Sequence, residues 1–193
     1  MTELNNIFNQ LWRDYTEQNP AVQKVYDLFI KEGEKVVNDH IAFRTYNDPR
    51  INIEVLSGSF LAGGYVEKGQ YHFEEKKLFA KHFELPEKED APRVFISELL
   101  VEEFSPYTQE TVKEAISRIP EESLKSEGLI YAGNCWGMPS YETYLQLRSE
   151  SEYAAWVYVF GFRANHFTVS VNNLKKYSSA SSIVETVKNM VQS

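Results

Sequence analysis

The sequence reads Asn38-Asp39-His40-Ile41-Ala42-Phe43-Arg44-Thr45 in the segment that decides the fold. Alternate residues of a β-strand share a face, so a strand here would carry His40, Ala42 and Arg44 on one side. The opposite side would be apolar, with Ile41 and Phe43. The pattern predicts a strand that rests on a hydrophobic core and turns a histidine and an arginine away from that core.

A second segment, far along the chain, is built in the same way. It reads Asn165-His166-Phe167-Thr168-Val169-Ser170-Val171. Its alternation would put His166, Thr168 and Ser170 on one face and leave the other face apolar. If the polar faces of the two strands are turned towards each other, they line a cavity with two imidazoles, a guanidinium and two hydroxyls. Asp39 and Asn165 precede the histidines and are placed to hydrogen-bond near them.

Two imidazoles in one cavity are typical ligands of a metal ion. Imidazole binds Fe, Zn, Cu and Ni, and two histidines with one carboxylate form the usual facial set for non-haem Fe(II). Arg44 would lie about 13 Å from His40 along an extended strand. That distance suits a bidentate clamp on the far carboxylate of a small dicarboxylate whose other end chelates the metal. The pattern alone leaves open that both histidines are structural and that Arg44 is an exposed charge.

The rest of the chain predicts an α+β protein rather than a regular βαβ series. Apolar residues recur at helical spacing in residues 4–15 and 22–29. Further helices are predicted from Asp48-Pro49 towards Gly63-Gly64, from Ser105 to Pro120, over residues 140–160 with Gly161 as the terminating glycine, and weakly over residues 183–191. Strands are predicted at Val36–Tyr46, Tyr65–Val66, Lys77–Phe83, Arg93–Leu99 and Asn165–Val171.

Composition and charge exclude several classes of protein. The chain has 193 residues and a net charge of −8, with acidic and basic residues interspersed, so we expect one domain over residues 1–193 and no nucleic-acid partner. Cys135 is the single cysteine, which permits no intramolecular disulfide and fits a reducing compartment. The N-terminus has no apolar signal region and no apolar run is long enough to span a membrane, so we expect a cytoplasmic protein.

Three segments together resemble the DUF1338 family, whose characterised members are 2-oxoadipate dioxygenase/decarboxylases. They are residues 38–45, the run Arg93-Val94-Phe95-Ile96-Ser97-Glu98-Leu99, and the stretch from Glu152 to Trp156 that resumes from Gly161 to Val169. The resemblance extends over most of the chain. It implies a fold related to the vicinal-oxygen-chelate proteins, in which a curved mixed β-sheet, flanked by helices, surrounds one metal site.

The resemblance also implies an Fe(II) enzyme, although a purified sample would accept Zn or Ni. Such an enzyme takes a 2-oxo dicarboxylate, 2-oxoadipate, together with O2, and forms 2-hydroxyglutarate and CO2 in lysine catabolism. The metal histidines of the family fall on His40 and His166, and its substrate-binding arginine falls on Arg44. The third ligand of the family is a glutamate well downstream of the second histidine. Glu185 is the sole acidic residue after His166 and matches no motif. Either the chain is incomplete at its C-terminus relative to the family, as we expect, or the site is completed differently.

Four further residues are candidates to orient the metal histidines. Glu98 shares a predicted face with Val94 and Ile96, and a carboxylate on an apolar face must be paired. A structural ion pair is favoured for Glu98 over a hydrogen bond to a metal-bound histidine. The remaining candidates are Ser97, Thr168 and Ser170.

Several conspicuous residues are expected to have structural roles. His72 and His82 stand in two His-Phe-Glu triplets among lysines and glutamates and are predicted to lie on the surface or at a rim. Arg163 is predicted to be a solvated charge. Cys135 has no basic neighbour that would lower its pKa and is not expected to be a nucleophile. Core packing is predicted for three aromatic residues at helical spacing, Tyr153, Trp156 and Phe160.

Two rival functions remain compatible with the sequence. The first is a metal-dependent isomerase or lyase with the same fold, which would turn over without consuming O2. The second is a non-catalytic binding module whose histidine strands are structural, which would retain no metal on purification.

Overall fold

The computed structural model describes residues 2–86, 88, 90–177, 181, 183 and 184. Its helices and strands are, in chain order, α1 (Thr2–Gln18), α2 (Pro20–Lys31), β1 (Asn38–Tyr46), α3 (Ile53–Ala62), β2 (Val66–Phe73), β3 (Leu78–Glu84), β4 (Arg93–Leu99), α4 (Pro106–Ser117), α5 (Glu121–Leu124), α6 (Tyr141–Glu150), α7 (Glu152–Phe160) and β5 (Ala164–Val169), with short 3-10 helices between some of them. The α+β class predicted from the sequence is confirmed.

The strands form one mixed sheet in the order β2-β3-β4-β1-β5. β1 pairs in parallel with β4 and antiparallel with β5, whereas β3 pairs antiparallel with both β2 and β4. In this register Ala42 lies opposite both Phe95 and His166. The pairing therefore brings together the two strands whose sequences carry the histidines, although they are far apart in the chain.

One face of the sheet rests on the hydrophobic core. Ile41 and Phe43 of β1 are each 1% exposed, and Val94 and Ile96 of β4 are fully buried. Each such side chain contributes about 1.5–3 kcal/mol relative to an exposed position. Because side chains alternate along a strand, burial of this face commits the intervening residues to the opposite face, where the cavity forms.

A serine joins two helices near the end of β1. Ser151 terminates α6, and its hydroxyl accepts a hydrogen bond from the amide of Ala154 at the start of α7. The Tyr46 hydroxyl at the end of β1 donates to the carbonyl of Ala154 at 2.8 Å. The cap and this hydrogen bond together fix the start of α7 against β1.

Gly161 turns the chain from α7 into the last strand, as the sequence predicted. Its φ of 66° lies in the left-handed region that favours glycine. A Cβ there would stand 2.2 Å from the carbonyl oxygen of Gly133, so no other residue fits without a backbone shift. Phe162 exchanges backbone hydrogen bonds with Gly133 at 2.8 and 2.9 Å, which sets the position from which β5 begins.

The structure differs from the sequence predictions at several elements. β2 extends from Val66 to Phe73 instead of stopping at residue 66, and nearly all of its side chains are exposed. α3 begins only at Ile53, after a turn, because the Asn52 side chain caps it by accepting from Val55 N–H. Phe160 is 38% exposed rather than buried in the core. Most of the predicted last helix lies outside the described residues, and no helix among those described is long and apolar enough to cross a membrane.

Candidate metal centre

The two histidines selected from the sequence meet on the open face of the sheet. The Nε2 atoms of His40 and His166 are 3.3 Å apart, and the two rings are almost perpendicular at an interplanar angle of 80°. Thr168 lies opposite His40 and Ala42 opposite His166, so the histidines are diagonal neighbours on adjacent strands. The β1–β5 pairing thus directs both Nε2 atoms to the same point.

The Nδ1 atom of each ring is held by the residue that precedes it. Nδ1 of His40 lies 2.8 Å from a carboxylate oxygen of Asp39, and Nδ1 of His166 lies 3.0 Å from the side-chain oxygen of Asn165. These oxygens only accept hydrogen bonds, so Nδ1 of each neutral ring carries the proton. The hydrogen bonding that the sequence suggested for Asp39 and Asn165 is present. Each Nε2 is consequently left with a lone pair.

Two lone pairs that face each other repel unless a cation or a shared proton lies between them. Burial, together with the proximity of His40 and Arg44, lowers the pKa of His166, which disfavours the shared proton. Two nitrogens bound to one ion at about 2.0–2.1 Å stand roughly 2.8–3.4 Å apart for coordination angles between octahedral and tetrahedral. The observed separation of 3.3 Å lies within that range, so the donor pair fits a metal ion.

The described residues bring together two candidate ligands without a third. Within residues 2–177, apart from the two undescribed positions near residue 88, no group of three His, Cys, Asp or Glu side chains is arranged to hold a metal ion. The carboxylate of Asp39, next to His40 in the chain, is already engaged with Nδ1 of that ring. Glu185, the acidic residue weighed as a third ligand, lies outside the described residues.

A cavity of about 1020 Å³ opens beside the histidine pair. It extends over the polar face of β1, where Ala42 lies between His40 and Arg44, and its far wall is formed by the β2–β3 hairpin. Small side chains make its floor, and aromatic side chains make much of its wall. The floor residues are Ala42, Ala80 and Ser97, and the wall residues include Tyr71, Phe73, Phe95, Phe104 and Tyr153.

Arg44 presents its guanidinium to this cavity. The guanidinium carbon lies 5.0 Å from the centre of the Tyr153 ring and 5.2 Å from that of the Trp156 ring. Among the residues that the structure describes, Arg44 makes neither a hydrogen bond nor an ion pair, and its partial burial lowers its pKa. A half-buried cation with unused donors is a receptor for an anion, and the planar fork matches a carboxylate.

Tyr153 has a role that the sequence did not reveal. It packs against the hydrophobic core, as predicted, and it also lines the cavity. Its hydroxyl donates to the carbonyl of Ser97 at 2.6 Å and accepts from the amide of Thr45 at 3.1 Å. The spacing of Tyr153 and Trp156 on one helical face was visible in the sequence. Only the packing of α7 against β1 shows that this face meets Arg44.

The four candidates for orienting the histidines have different outcomes. The Thr168 hydroxyl lies 2.9 Å from Nδ1 of His40 and accepts from the His40 amide at 3.0 Å, so it holds that residue directly. Ser97 contacts Tyr153 rather than a histidine. Ser170 lies beyond the end of β5, where its amide donates to the carbonyl of Val37, and its side chain makes no hydrogen bond to either histidine within the described chain.

The suggestion that Glu98 orients a histidine is wrong. Glu98 is 9% exposed and lies on the core face of β4, on the opposite side of the sheet from the cavity. Its carboxylate accepts a hydrogen bond from the Ile53 amide at 3.0 Å, at the start of α3. Burial raises its pKa. The carboxylate therefore satisfies a helix N-terminus, which is a structural role but not the ion pair that was favoured.

The residues to which the sequence assigned structural roles make no hydrogen bond to the two histidines in the part of the chain that the structure describes. His72 is exposed, as predicted, whereas the His82 side chain is only 13% exposed and stacks on Phe95, so its prediction as a surface or rim residue is wrong. Arg163 is also largely buried, 3.9 Å from Asp14 and away from the cavity, rather than solvated. Burial raises the pKa of Cys135, in agreement with its exclusion as a nucleophile.

Comparison with known proteins places these features in a family. The family model described as 2-oxoadipate dioxygenase/decarboxylase matches residues 3–183. The chain is 34% identical over 185 residues to the chloroplastic 2-oxoadipate dioxygenase/decarboxylase of Arabidopsis thaliana, a match that covers 89% of this chain and 50% of the relative. The chain spans about half the length of the curated relatives it matches.

Solved structures show the same fold. A putative hydrolase from Shewanella frigidimarina NCIMB 400 has a TM-score of 0.91 at 43% identity, covering 98% of this chain and 74% of that one. The hydroxyglutarate synthase of Oryza sativa in complex with 2-oxoadipate has a TM-score of 0.86 at 29% identity, covering 97% and 64%. A putative glyoxalase superfamily protein from Ralstonia eutropha JMP134 shares the fold alone, with a TM-score of 0.72 at 19% identity over 89% and 61%. This chain therefore belongs to the 2-oxoadipate dioxygenase/decarboxylase family.

Proposed function

We propose that this chain provides the substrate cavity and two metal ligands of an Fe(II)-dependent enzyme that converts 2-oxoadipate and O2 into 2-hydroxyglutarate and CO2. The observation that carries the proposal is the pair of Nε2 atoms, 3.3 Å apart, on His40 and His166. The family and the rice relative that binds 2-oxoadipate support the substrate class. The chain spans only about half the length of the curated relatives it matches, so the whole reaction is part of our proposal.

The reaction balances with O2 as the sole co-substrate. The bond between C1 and C2 of 2-oxoadipate breaks and C1 leaves as CO2. One oxygen atom of O2 enters the new carboxyl group at C2, and the other becomes the hydroxyl at C3. His40 and His166 would hold Fe(II), which would accept the 2-oxo acid as a chelating ligand and supply O2 activation.

The residues of this chain would bind and orient the substrate. Arg44 would pair with the remote carboxylate through two parallel N–H groups. Ala42, between Arg44 and His40 on the same face, has a side chain short enough to leave room for the methylene carbons above the sheet. Asp39 and Asn165 would keep both imidazoles in the tautomer that leaves Nε2 available.

Metal content tests the ligand assignment. Purified anaerobically with Fe(II), the chain should retain stoichiometric iron by elemental analysis, and His40→Ala and His166→Ala should each lose it because a lone imidazole holds iron weakly. His72→Ala, which removes an exposed histidine from β2, is the matched control and should retain iron. Iron retained at full stoichiometry in His40→Ala would refute the assignment.

Oxygen consumption tests the reaction class. In the iron-loaded protein, addition of 2-oxoadipate should cause O2 uptake and release of CO2 in equal amounts. The isomerase or lyase alternative predicts a changed substrate with no O2 consumed. The binding-module alternative predicts neither iron nor turnover.

A further inference from the structure

We infer that Tyr153 is a positioning residue that fixes the guanidinium of Arg44 and thereby makes the cavity selective for 2-oxo acids with a second carboxylate. The inference deepens the proposed function, and it rests on that function only for the identity of the substrate. It concerns a residue whose spacing in the sequence indicated nothing beyond core packing.

The Tyr153 hydroxyl ties α7 to the two central strands. It accepts from the Thr45 amide of β1 at 3.1 Å and donates to the Ser97 carbonyl of β4 at 2.6 Å. The hydroxyl oxygen of Ser97 also lies 3.0 Å from that of Tyr153. A hydroxyl has one proton and two lone pairs, so these neighbours satisfy it almost completely. These hydrogen bonds fix the position of the Tyr153 ring beside Arg44, the residue that precedes Thr45.

The Tyr153 ring and its neighbour on the helix restrict Arg44. Tyr153 and Trp156 are three residues apart on α7 and therefore share a helical face. Their ring centres lie 5.0 and 5.2 Å from the guanidinium carbon. Aromatic faces attract the cation without using its N–H groups. The guanidinium is thus restrained while its donors stay available, and such preorganisation lowers the entropic cost of binding a ligand.

Selectivity follows from the separation of the two ends of the cavity. A 2-oxo acid at the histidine pair leaves its other end near Arg44, because both residues lie on one face of β1 with Ala42 between them. A terminal carboxylate pairs with the guanidinium, whereas a terminal methyl group leaves buried donors without partners. A site built to bind a polar group discriminates strongly against analogues that lack it.

A purely structural role for Tyr153 makes a different prediction. If the hydroxyl only stabilised the contact between α7 and the sheet, its loss would lower stability and affect all ligands to the same extent. If the hydroxyl positions Arg44, its loss affects only ligands that carry the remote carboxylate. The comparison of a dicarboxylate with a monocarboxylate of equal length separates the two roles.

The test uses Tyr153→Phe, which removes the hydroxyl and keeps the ring. Tyr158→Phe is the matched control, because its hydroxyl accepts one backbone hydrogen bond, from Ser140 at 3.2 Å, on the same helix and outside the cavity lining. Tyr153→Phe should raise KM for 2-oxoadipate about tenfold, with KM for 2-oxohexanoate unchanged. Equal changes for both substrates, or none, would overturn the inference.

A binding measurement keeps the inference separable from the proposed reaction. Adipate and hexanoate are titrated into metal-free protein, with tryptophan fluorescence as the signal because Trp156 adjoins Arg44. Adipate should bind the wild type more tightly than hexanoate. Tyr153→Phe should reduce the ratio of the two dissociation constants about tenfold, whereas Tyr158→Phe should leave that ratio unchanged. If this holds and turnover is absent, the reaction is wrong and the role of Tyr153 stands; an unchanged preference in Tyr153→Phe refutes that role.

Discussion

At the scale of single residues, the site depends on which nitrogen of each imidazole is engaged in a hydrogen bond. Asp39 and Asn165 hold the Nδ1 atoms of His40 and His166, and Thr168 adds a second contact to Nδ1 of His40. Partners of this kind fix the ring orientation and raise the basicity of the ligand. The residues that contact Nδ1 therefore matter for the site because they orient the two rings, although they are not ligands themselves.

The Thr168 hydroxyl can be tested with a substitution of the same shape. Thr168→Val should weaken iron binding by roughly 10–100-fold, because His40 loses both its amide acceptor and a contact at Nδ1. Competition with a chelator of known affinity measures the change. Thr111→Val, on α4 and remote from β5, serves as the control. Unaltered affinity in Thr168→Val would show that Asp39 alone orients the ring.

The sequence predicted the faces of individual strands better than contacts between strands. Alternation correctly placed His40 and Arg44 on one face, because that relation is local. It did not show that Tyr153 reaches Thr45, since 108 residues separate them and their contact depends on how α7 packs. Glu98 was ambiguous for a similar reason, because the register of β4 against β1 determines which face of β4 meets the histidines.

At the scale of elements, helix ends account for several buried polar groups. The N-terminus of α3 is buried, with Ile53 fully inaccessible, and its first amide is satisfied by Glu98. Burial raises the pKa of this carboxyl even though the amide favours its ionised form. Folding therefore favours the protonated state of Glu98 relative to the unfolded chain.

This shift predicts a pH-dependent effect of Glu98→Gln. A raised pKa means that the contribution of Glu98 to stability is complete below its unfolded pKa and is lost as pH rises through its folded pKa. The amide of glutamine still accepts from Ile53 and does not ionise. Urea unfolding should show that Glu98→Gln gains stability relative to the wild type as pH rises from acid to neutral values.

A control variant separates this effect from general charge removal. Glu110→Gln replaces an exposed glutamate of α4 and should show no such trend. A stability of Glu98→Gln that stays constant with pH relative to the wild type, or that falls relative to it as pH rises, would mean that burial does not dominate at Glu98.

Elements with local signals were predicted well, and the others were not. α4, α6 and α7 each begin with a serine whose side chain accepts from an amide three residues ahead, a signal that the sequence carries. β2 lacked any such signal, because an exposed strand does not alternate between buried and exposed residues. Its length is set by pairing with β3, which is a tertiary effect.

At the scale of the whole molecule, a buried carboxylate joins the chain segments that flank the histidine strands. Glu34, 4% exposed, precedes β1 and accepts from the amides of Lys175 and Lys176 at 2.7 and 2.6 Å, beyond β5. Those hydrogen bonds lower its pKa, so its contribution to stability is present above its unfolded pKa and is lost as pH falls through the folded value.

Hydrogen exchange tests this connection. Glu34→Gln keeps one accepting oxygen for two amides, so the amides of Lys175 and Lys176 should exchange faster than in the wild type, with little change in β3 or β4. Glu32→Gln is the control, because it removes only an exposed ion pair with Lys176. Wild-type protection of both amides in Glu34→Gln would contradict the proposed connection.

The global arrangement could be predicted only as a class. The order of helices and strands indicated an α+β protein, and the family resemblance added a curved mixed sheet. Neither pattern nor composition specifies that β1 runs parallel to β4 while β5 returns antiparallel on its other side. Those pairings join residues such as Ala42 and His166, over distances that a sequence window does not cover.

The position of β5 has a consequence for how the protein matures. Within the described part of the chain, β5 forms one border of the sheet and reaches its neighbour only after every other strand has been synthesised. A polypeptide interrupted before residue 164 retains the strands of a four-stranded sheet and lacks His166. If the histidine pair binds an ion as proposed, capture of that ion would report that synthesis has passed β5, and loss of the ion would first loosen that border.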